Sequence, residues 1–316
     1  MDNFEQYYPP KPNLVRKEKG GHPAVTVFSM VLFALTFSII IDDYLFIAFL
    51  LGVLLIHESG HYFMMKMFGY KKLKMLFIPF MGALVQGKKK VYSQTQSAIV
   101  LLAGPVPGII IGFIMLEYGV VENIFWVIQL GVLFILLNAV NLLPLDPLDG
   151  GQLIKVMFFG NQELVQLIFS FVSSLGMIAL GFFVDSWIVM AFGFLLGFRV
   201  KGMHKLYNIR KEMKSENIDY EITYENLPDS SFAKIKEILF LNKPILKQIE
   251  EQSDESTFDQ LIANQVDGVL QEPMSRDAQF IKKTMFIGIW ALFLLGTIYY
   301  IFTIDLNQIS NAFQNR

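Results

Sequence analysis

No cysteine occurs among the 316 residues of the chain. A disulfide framework, a thiolate nucleophile and a cysteine metal site are therefore excluded, and any metal would have to be held by histidine, aspartate or glutamate. Charge is scarce as well. Only 17% of residues are charged, against about a quarter in ordinary soluble domains. The net charge of -2 is too small to argue for nucleic acid or another strongly charged partner. What the chain has in excess is apolar surface: 53% of residues are hydrophobic and the mean hydropathy is positive. This is the composition of a membrane protein.

Seven apolar runs approach the roughly 20 residues needed to cross about 30 Å of hydrocarbon. They are 24–41, 44–67, 97–117, 123–143, 163–184, 186–200 and 284–304. The first follows a basic tail (Lys11, Arg16, Lys17, Lys19), but its length, the lack of a small-residue cleavage pattern and the Asp42-Asp43 stop mark a retained span. Flanking charge then alternates. Lysines crowd the 66–90 connection and Arg199, Lys201, Lys205, Arg210 and Lys211 follow the sixth run, whereas Glu117, Glu122 and Asp185 occupy the opposite turns. By the bias of basic residues toward the cytoplasm, the N-terminus and the 66–90, 144–162 and 201–283 connections are expected to be cytoplasmic. The lysine triplet at 88–90 reads as part of that topology signal rather than as a binding patch.

The second run contains LGVLLIHESGHYFMM, residues 51–65. Three ionisable groups within five residues at this depth need an offsetting interaction. His57 and His61 are four apart, so a helix places them on one face with Glu58 beside them. In an H-E-x-x-H helix two imidazoles hold zinc, and the glutamate takes a proton from the attacking water. His22 and His204, near span ends, need no such explanation.

Two histidines leave a catalytic zinc one protein ligand short. The stretch NAVNLLPLDPLDGGQL, residues 138–153, offers Asp146 and Asp149 where Pro144 and Pro147 open the backbone. Irregular backbone at membrane depth is tolerated only around a protein-lined or watery cavity. The depths agree. His57 lies 13 residues into its span, about 20 Å at about 1.5 Å per residue, and the 123–143 run breaks toward the same side.

These segments resemble the site-2 protease family of intramembrane zinc metalloproteases. HESGH at 57–61 matches the family's first motif and NLLPLDPLDGG at 141–151 its second. LLAGPVPG at 101–108 resembles the A-G-P element between them, and IPFMGALVQG at 78–87 resembles the re-entrant β-hairpin that engages substrate. The resemblance implies His57, His61 and Asp149 as zinc ligands and Glu58 as general base. It further implies Asn141 as a contact to the substrate backbone or developing oxyanion, with Gly82, Ala83 and Leu84 lining the substrate strand. A simple amide cap of the opened helix remains the other reading of Asn141.

The expected fold is an all-α polytopic membrane protein with six to seven transmembrane helices, a re-entrant β-hairpin and a small helical cytoplasmic domain. Its parts are a tail at 1–23, a metalloprotease core at 24–204, a domain at 205–282 and a last span with an outer tail at 283–316. In the domain, apolar positions from Phe232 to Leu270 recur at helical spacing, broken by Pro244. The expected activity is zinc-dependent hydrolysis of peptide bonds in or near transmembrane segments of single-pass proteins or remnant signal peptides, on the cytoplasmic side of a bacterial membrane. A catalytically silent member that binds membrane proteins is the alternative. Expected partners are a membrane-protein substrate and the lipid bilayer, with self-association into a homo-oligomer left open.

Overall fold

A computed structural model describes residues 8–15, 21–79 and 82–303. Arg16, Lys17, Lys19, Phe80, Met81 and the tail at 304–316 lie outside the described residues. The structure is mostly helical and divides into two compact units: one of described residues 21–89, 93–197 and 275–303, the other of 8–15, 90–92 and 198–274.

The larger unit holds α1 (Pro23–Ser38), α2 (Tyr44–Met67), α3 (Gln94–Ala103), α4 (Pro105–Val121), α5 (Phe125–Asn141), α6 (Asp149–Ile154) and α7 (Glu163–Phe183). To these are added the opening turns of α8 (Trp187–Ser215) and, later in the chain, Phe280–Thr303. Among the described residues, four helical stretches are long and apolar enough to cross a membrane: Tyr44–Met67, Gln94–Val121, Glu163–Phe183 and Phe280–Thr303. The runs at 24–41 and 123–143 fall on the shorter apolar helices α1 and α5. The run at 186–200 opens α8, which continues into charged sequence.

Local chemistry sets these boundaries. The Asp43 side chain accepts the Phe46 amide at 3.0 Å and so starts α2, and Ser93 does the same for α3 through Gln96. α5 stops at Asn141 and the next helix starts at Asp149, because the intervening prolines cannot continue a helical ladder. Trp290 of the last long helix donates its indole N–H to the Leu142 carbonyl at 2.7 Å, satisfying one acceptor in this opened stretch. Outward-facing Phe28, Phe171, Phe182 and Leu292 are exposed, as lipid-facing side chains are.

Between α2 and α3, β1 (Lys71–Ile78) and β2 (Gly82–Lys88) form an antiparallel hairpin running from Ile78↔Gly82 to Lys71↔Lys88. Gly82 lies at φ +91°, a left-handed conformation in which a side chain would be strained. The hairpin is longer than the 78–87 stretch suggests, since pairing reaches back through the lysine-rich strand.

In the smaller unit, α9 (Asp229–Asn242), α10 (Ile245–Gln252) and α11 (Glu255–Val269) pack with the end of α8. Ile235, Leu239, Ile262, Ala263, Val266 and Met213 form its buried centre. Pro244 separates α9 from α10. Arg210 of α8 donates to the Val269 and Leu270 carbonyls at 2.8 Å, satisfying acceptors where α11 ends.

Candidate metal centre

His57, Glu58 and His61 are buried on α2, with 2%, 5% and 7% of their surfaces exposed. One helical turn separates the imidazoles, which leaves their Nε2 atoms 3.1 Å apart. Asp149, first residue of α6, brings its Oδ2 to 3.2 Å from each Nε2. Among the described residues these three form the group able to hold a metal ion.

The outer nitrogens decide what the inner ones can do. The His57 Nδ1 lies 2.7 Å from the Asn138 side-chain oxygen, and the His61 Nδ1 lies 2.7 Å from the Val100 carbonyl. Both partners accept, so both Nδ1 atoms carry the proton and each Nε2 presents a lone pair. The Asp149 Oδ2 is buried without a hydrogen-bond donor. Three acceptor atoms thus converge on one point, and a single proton there would satisfy at most two of them. A tetrahedral zinc with ligands at about 2.0–2.1 Å has ligand atoms about 3.3 Å apart, so the observed separations fit zinc closely.

Two glycines make room for this arrangement. A Cβ on Gly60 would stand 2.0 Å from the Ala103 carbonyl oxygen, and one on Gly104 would stand 2.4 Å from the His61 Nε2. The A-G-P element therefore places bare backbone directly over the imidazoles. A Cβ on Gly108, one turn further along α4, would strike the Asn138 carboxamide.

The two aspartates have different partners. Asp146 is buried in a different network: Lys155 donates to its Oδ1 at 3.1 Å and Ser170 to its Oδ2 at 2.7 Å. Its backbone N–H donates to Ser173 at 3.0 Å. Asp146 is thus committed to holding the 142–148 stretch against α7, and Asp149 alone faces the histidines.

Glu58 is held by the hairpin. Its carboxylate accepts a hydrogen bond from the Val85 backbone and lies within electrostatic reach of His57, His61 and Asp149. The strand carrying Gly82, Ala83 and Leu84 is therefore adjacent to the base. Asn141 donates its amide to the Leu137 carbonyl at 3.1 Å, within its own helix, while Asn138, three residues earlier, makes the contact to the histidine. Sequence reasoning missed Asn138. The signal was present in NAVN: an amide in the middle of an apolar helix is costly unless it is bonded. His22 caps α1 by accepting the Ala24 amide at 3.2 Å, and His204 pairs with Asn208, so neither joins the centre.

Residues 45–123 match the profile of peptidase family M50. The chain is 31% identical over 121 residues to "Zinc metalloprotease MJ0392" of Methanocaldococcus jannaschii, covering 36% of this chain and 34% of that protein. It is 31% identical over 116 residues to "Stage IV sporulation protein FB" of Bacillus subtilis, covering 34% and 38%. It therefore spans about a third of the length of these curated relatives. A solved structure titled "Site-2 Protease from Methanocaldococcus jannaschii" aligns with a TM-score of 0.43 at 21% identity, covering 56% of this chain and 88% of that one. Over the segment that carries both histidines and the glutamate, the chain is similar to peptidase family M50, the site-2 protease family.

Proposed function

We propose that this chain is an intramembrane zinc metalloprotease that hydrolyses peptide bonds in or near transmembrane segments of single-pass proteins or remnant signal peptides. The observation that carries the reading is the convergence of the two Nε2 lone pairs and the Asp149 carboxylate beside a buried Glu58. His57, His61 and Asp149 would hold zinc. Zinc supplies Lewis-acid activation of water and of the scissile carbonyl.

The chain's own residues do the rest. Glu58 takes a proton from the attacking water and passes it to the leaving amide nitrogen. Among the described residues the sheet of β1 and β2 has two strands, so the outer edge of β2 ahead of Val85, whose backbone bonds Glu58, would take a substrate segment as a third strand. Such pairing holds the substrate extended, which a helical segment needs before its carbonyls can react. Gly82, Ala83 and Leu84 would present the backbone groups for this pairing. Asn141 keeps a second amide N–H beyond the one given to Leu137, which suits it to the developing oxyanion.

Seven spans, counting α1, α5 and the start of α8, bring the N-terminal tail and the 205–282 domain to the cytoplasmic face of a bacterial membrane, where the site would be wetted. The hairpin would dip into that face. The test pairs zinc content of the wild type and His57→Ala with cleavage of a model single-pass substrate by the wild type and Glu58→Gln. Zinc near one per chain, lost in the first variant and kept in an inactive second, supports hydrolysis. Undiminished cleavage by Glu58→Gln would sink it.

A further inference from the structure

The segment at 8–15 has the sequence YPPKPNLV, forms neither helix nor strand and belongs to the smaller unit. The Lys11 ammonium donates to the Tyr224 carbonyl at 2.8 Å, to the Glu225 carbonyl at 3.0 Å, and to the Leu227 carbonyl. All three of its N–H bonds are thereby used. The carbonyls come from the one-turn helix Tyr224–Asn226 and the residue after it; that of Tyr224 also accepts the Leu227 N–H at 3.2 Å, using its second lone pair for the ammonium. The same ammonium stands 5.4 Å from the centroid of the Tyr224 ring, within cation–π range.

The backbone on both sides of Lys11 is held too. The Lys11 N–H donates to the Asp229 carboxylate at 2.9 Å, and the Tyr224 hydroxyl donates to the Pro12 carbonyl at 2.8 Å. Gln260 of α11 accepts the Val15 N–H at 3.0 Å and donates to the Asn13 carbonyl at 2.7 Å, a two-point clamp on one stretch. Leu14 packs against the apolar core of the unit. The prolines at 9, 10 and 12 restrict the unbound segment to extended conformations and bring no N–H of their own, so little ordering entropy is lost on docking.

Side chains that clamp an extended backbone, an apolar contact and a carbonyl cage for one ammonium are the parts of a peptide-recognition site. We propose that the 198–274 unit contains a binding site for an extended, proline-flanked lysine peptide, and that its resident ligand is the chain's own segment 9–15. The cage selects lysine over arginine, because three carbonyls match the three N–H bonds of an ammonium and not a planar guanidinium. Neutralising Lys11 removes the charge that the cage and the Tyr224 ring recognise, and so empties the site. The proposal stands apart from the metal centre, and it requires residues 9–15 and 198–274 to occupy the same side of the bilayer.

The test uses the full chain in detergent, a version lacking residues 2–15, and a labelled peptide of residues 8–15. The truncated chain should bind the peptide saturably, and the full chain, with its site filled, at least tenfold more weakly. Peptides carrying Lys11→Gln or Lys11→Arg should bind the truncated chain at least tenfold more weakly than the parent. Equal binding to both chains, or no preference for lysine, overturns the proposal. If truncation disturbs folding, hydrogen exchange on the full chain decides. The Lys11 and Val15 amides should be protected, and Lys11→Gln should speed exchange at Val15 at least tenfold; unchanged exchange there overturns the proposal.

Discussion

The Nδ1 of His57 and the side-chain oxygen of Asn138 stand 2.7 Å apart inside the bundle, linking the helix that carries the two clustered histidines to the helix that leads to Asp149. Asn138 is fully buried and spends its amide on the Phe134 carbonyl at 2.7 Å, so its oxygen is aimed at the imidazole by its own backbone. Partners of this kind fix a ligand's tautomer and orientation, and losing one lowers metal affinity about 10–100-fold. Asn138→Ala should weaken zinc binding by that factor in a chelator competition titration. Asn138→Asp, which keeps an acceptor, should retain most of it. Equal affinity in wild type and Asn138→Ala would mean that the ring is held without the amide.

Close packing over the imidazoles leads to a steric prediction. Gly104→Ala places a methyl 2.4 Å from the His61 Nε2 and 3.0 Å from the His57 ring, so the two imidazoles, each anchored through its Nδ1, would have to move. Zinc stoichiometry should fall well below that of the wild type, and overpacking should cost about 1–3 kcal/mol in thermal unfolding. Gly52→Ala is the control on α2, since its added Cβ meets nothing within 4 Å. Loss of zinc in both variants would point to general damage rather than to the cradle.

The two aspartates should separate cleanly. Asp149→Asn should abolish zinc binding, because the remaining carboxamide puts no charge among the Nε2 lone pairs. Asp146→Asn should keep zinc. Its cost is in folding: removing one member of a buried ion pair leaves the other uncompensated, at about 3–5 kcal/mol, and Lys155 is 9% exposed. The double variant Asp146→Leu with Lys155→Met should recover part of that loss in thermal unfolding. Zinc loss in Asp146→Asn equal to that in Asp149→Asn would contradict the assignment.

Much of this centre was legible in the sequence because its signals are local. His57 and His61 share a helix face by spacing alone, and the prolines at 144 and 147 announce the break that frees Asp149. The choice between Asp146 and Asp149 was different in kind. Spacing left both open, and what separates them is Lys155 and Ser170, which the fold brings to Asp146 from nine and 24 residues away. Asn138 was hidden for the opposite reason: it sits beside Asn141 in the same short stretch, and only the rotation of α5 shows which amide faces His57. The hairpin's reach back to Lys71 was hidden too, because strand pairing there depends on Lys88 across the turn rather than on an apolar alternation. Helical periodicity around Pro244 did carry through, since it reflects burial within one small core.

A pH prediction rests on the smaller unit. Asp254 starts α11, accepting the Ser256 hydroxyl at 2.6 Å and the Thr257 amide at 2.9 Å. These donors pull its carboxyl down to about 2, below the value of about 3.9 for an unfolded aspartate. A carboxyl lowered on folding adds stability above its unfolded value and loses it as pH falls through its folded value. The first turn of α11 should therefore begin to fray below about pH 4 and lose the cap's charge-dependent part near pH 2. Asp254→Asn caps the same amides without titrating, so it should show no additional fraying in that window. Hydrogen exchange at the Thr257 amide, compared between the two proteins from pH 5 to pH 2, separates the cap from the general effect of acid. Parallel exchange rates in both proteins across the range would mean that the ionised carboxylate contributes nothing beyond what the neutral amide supplies.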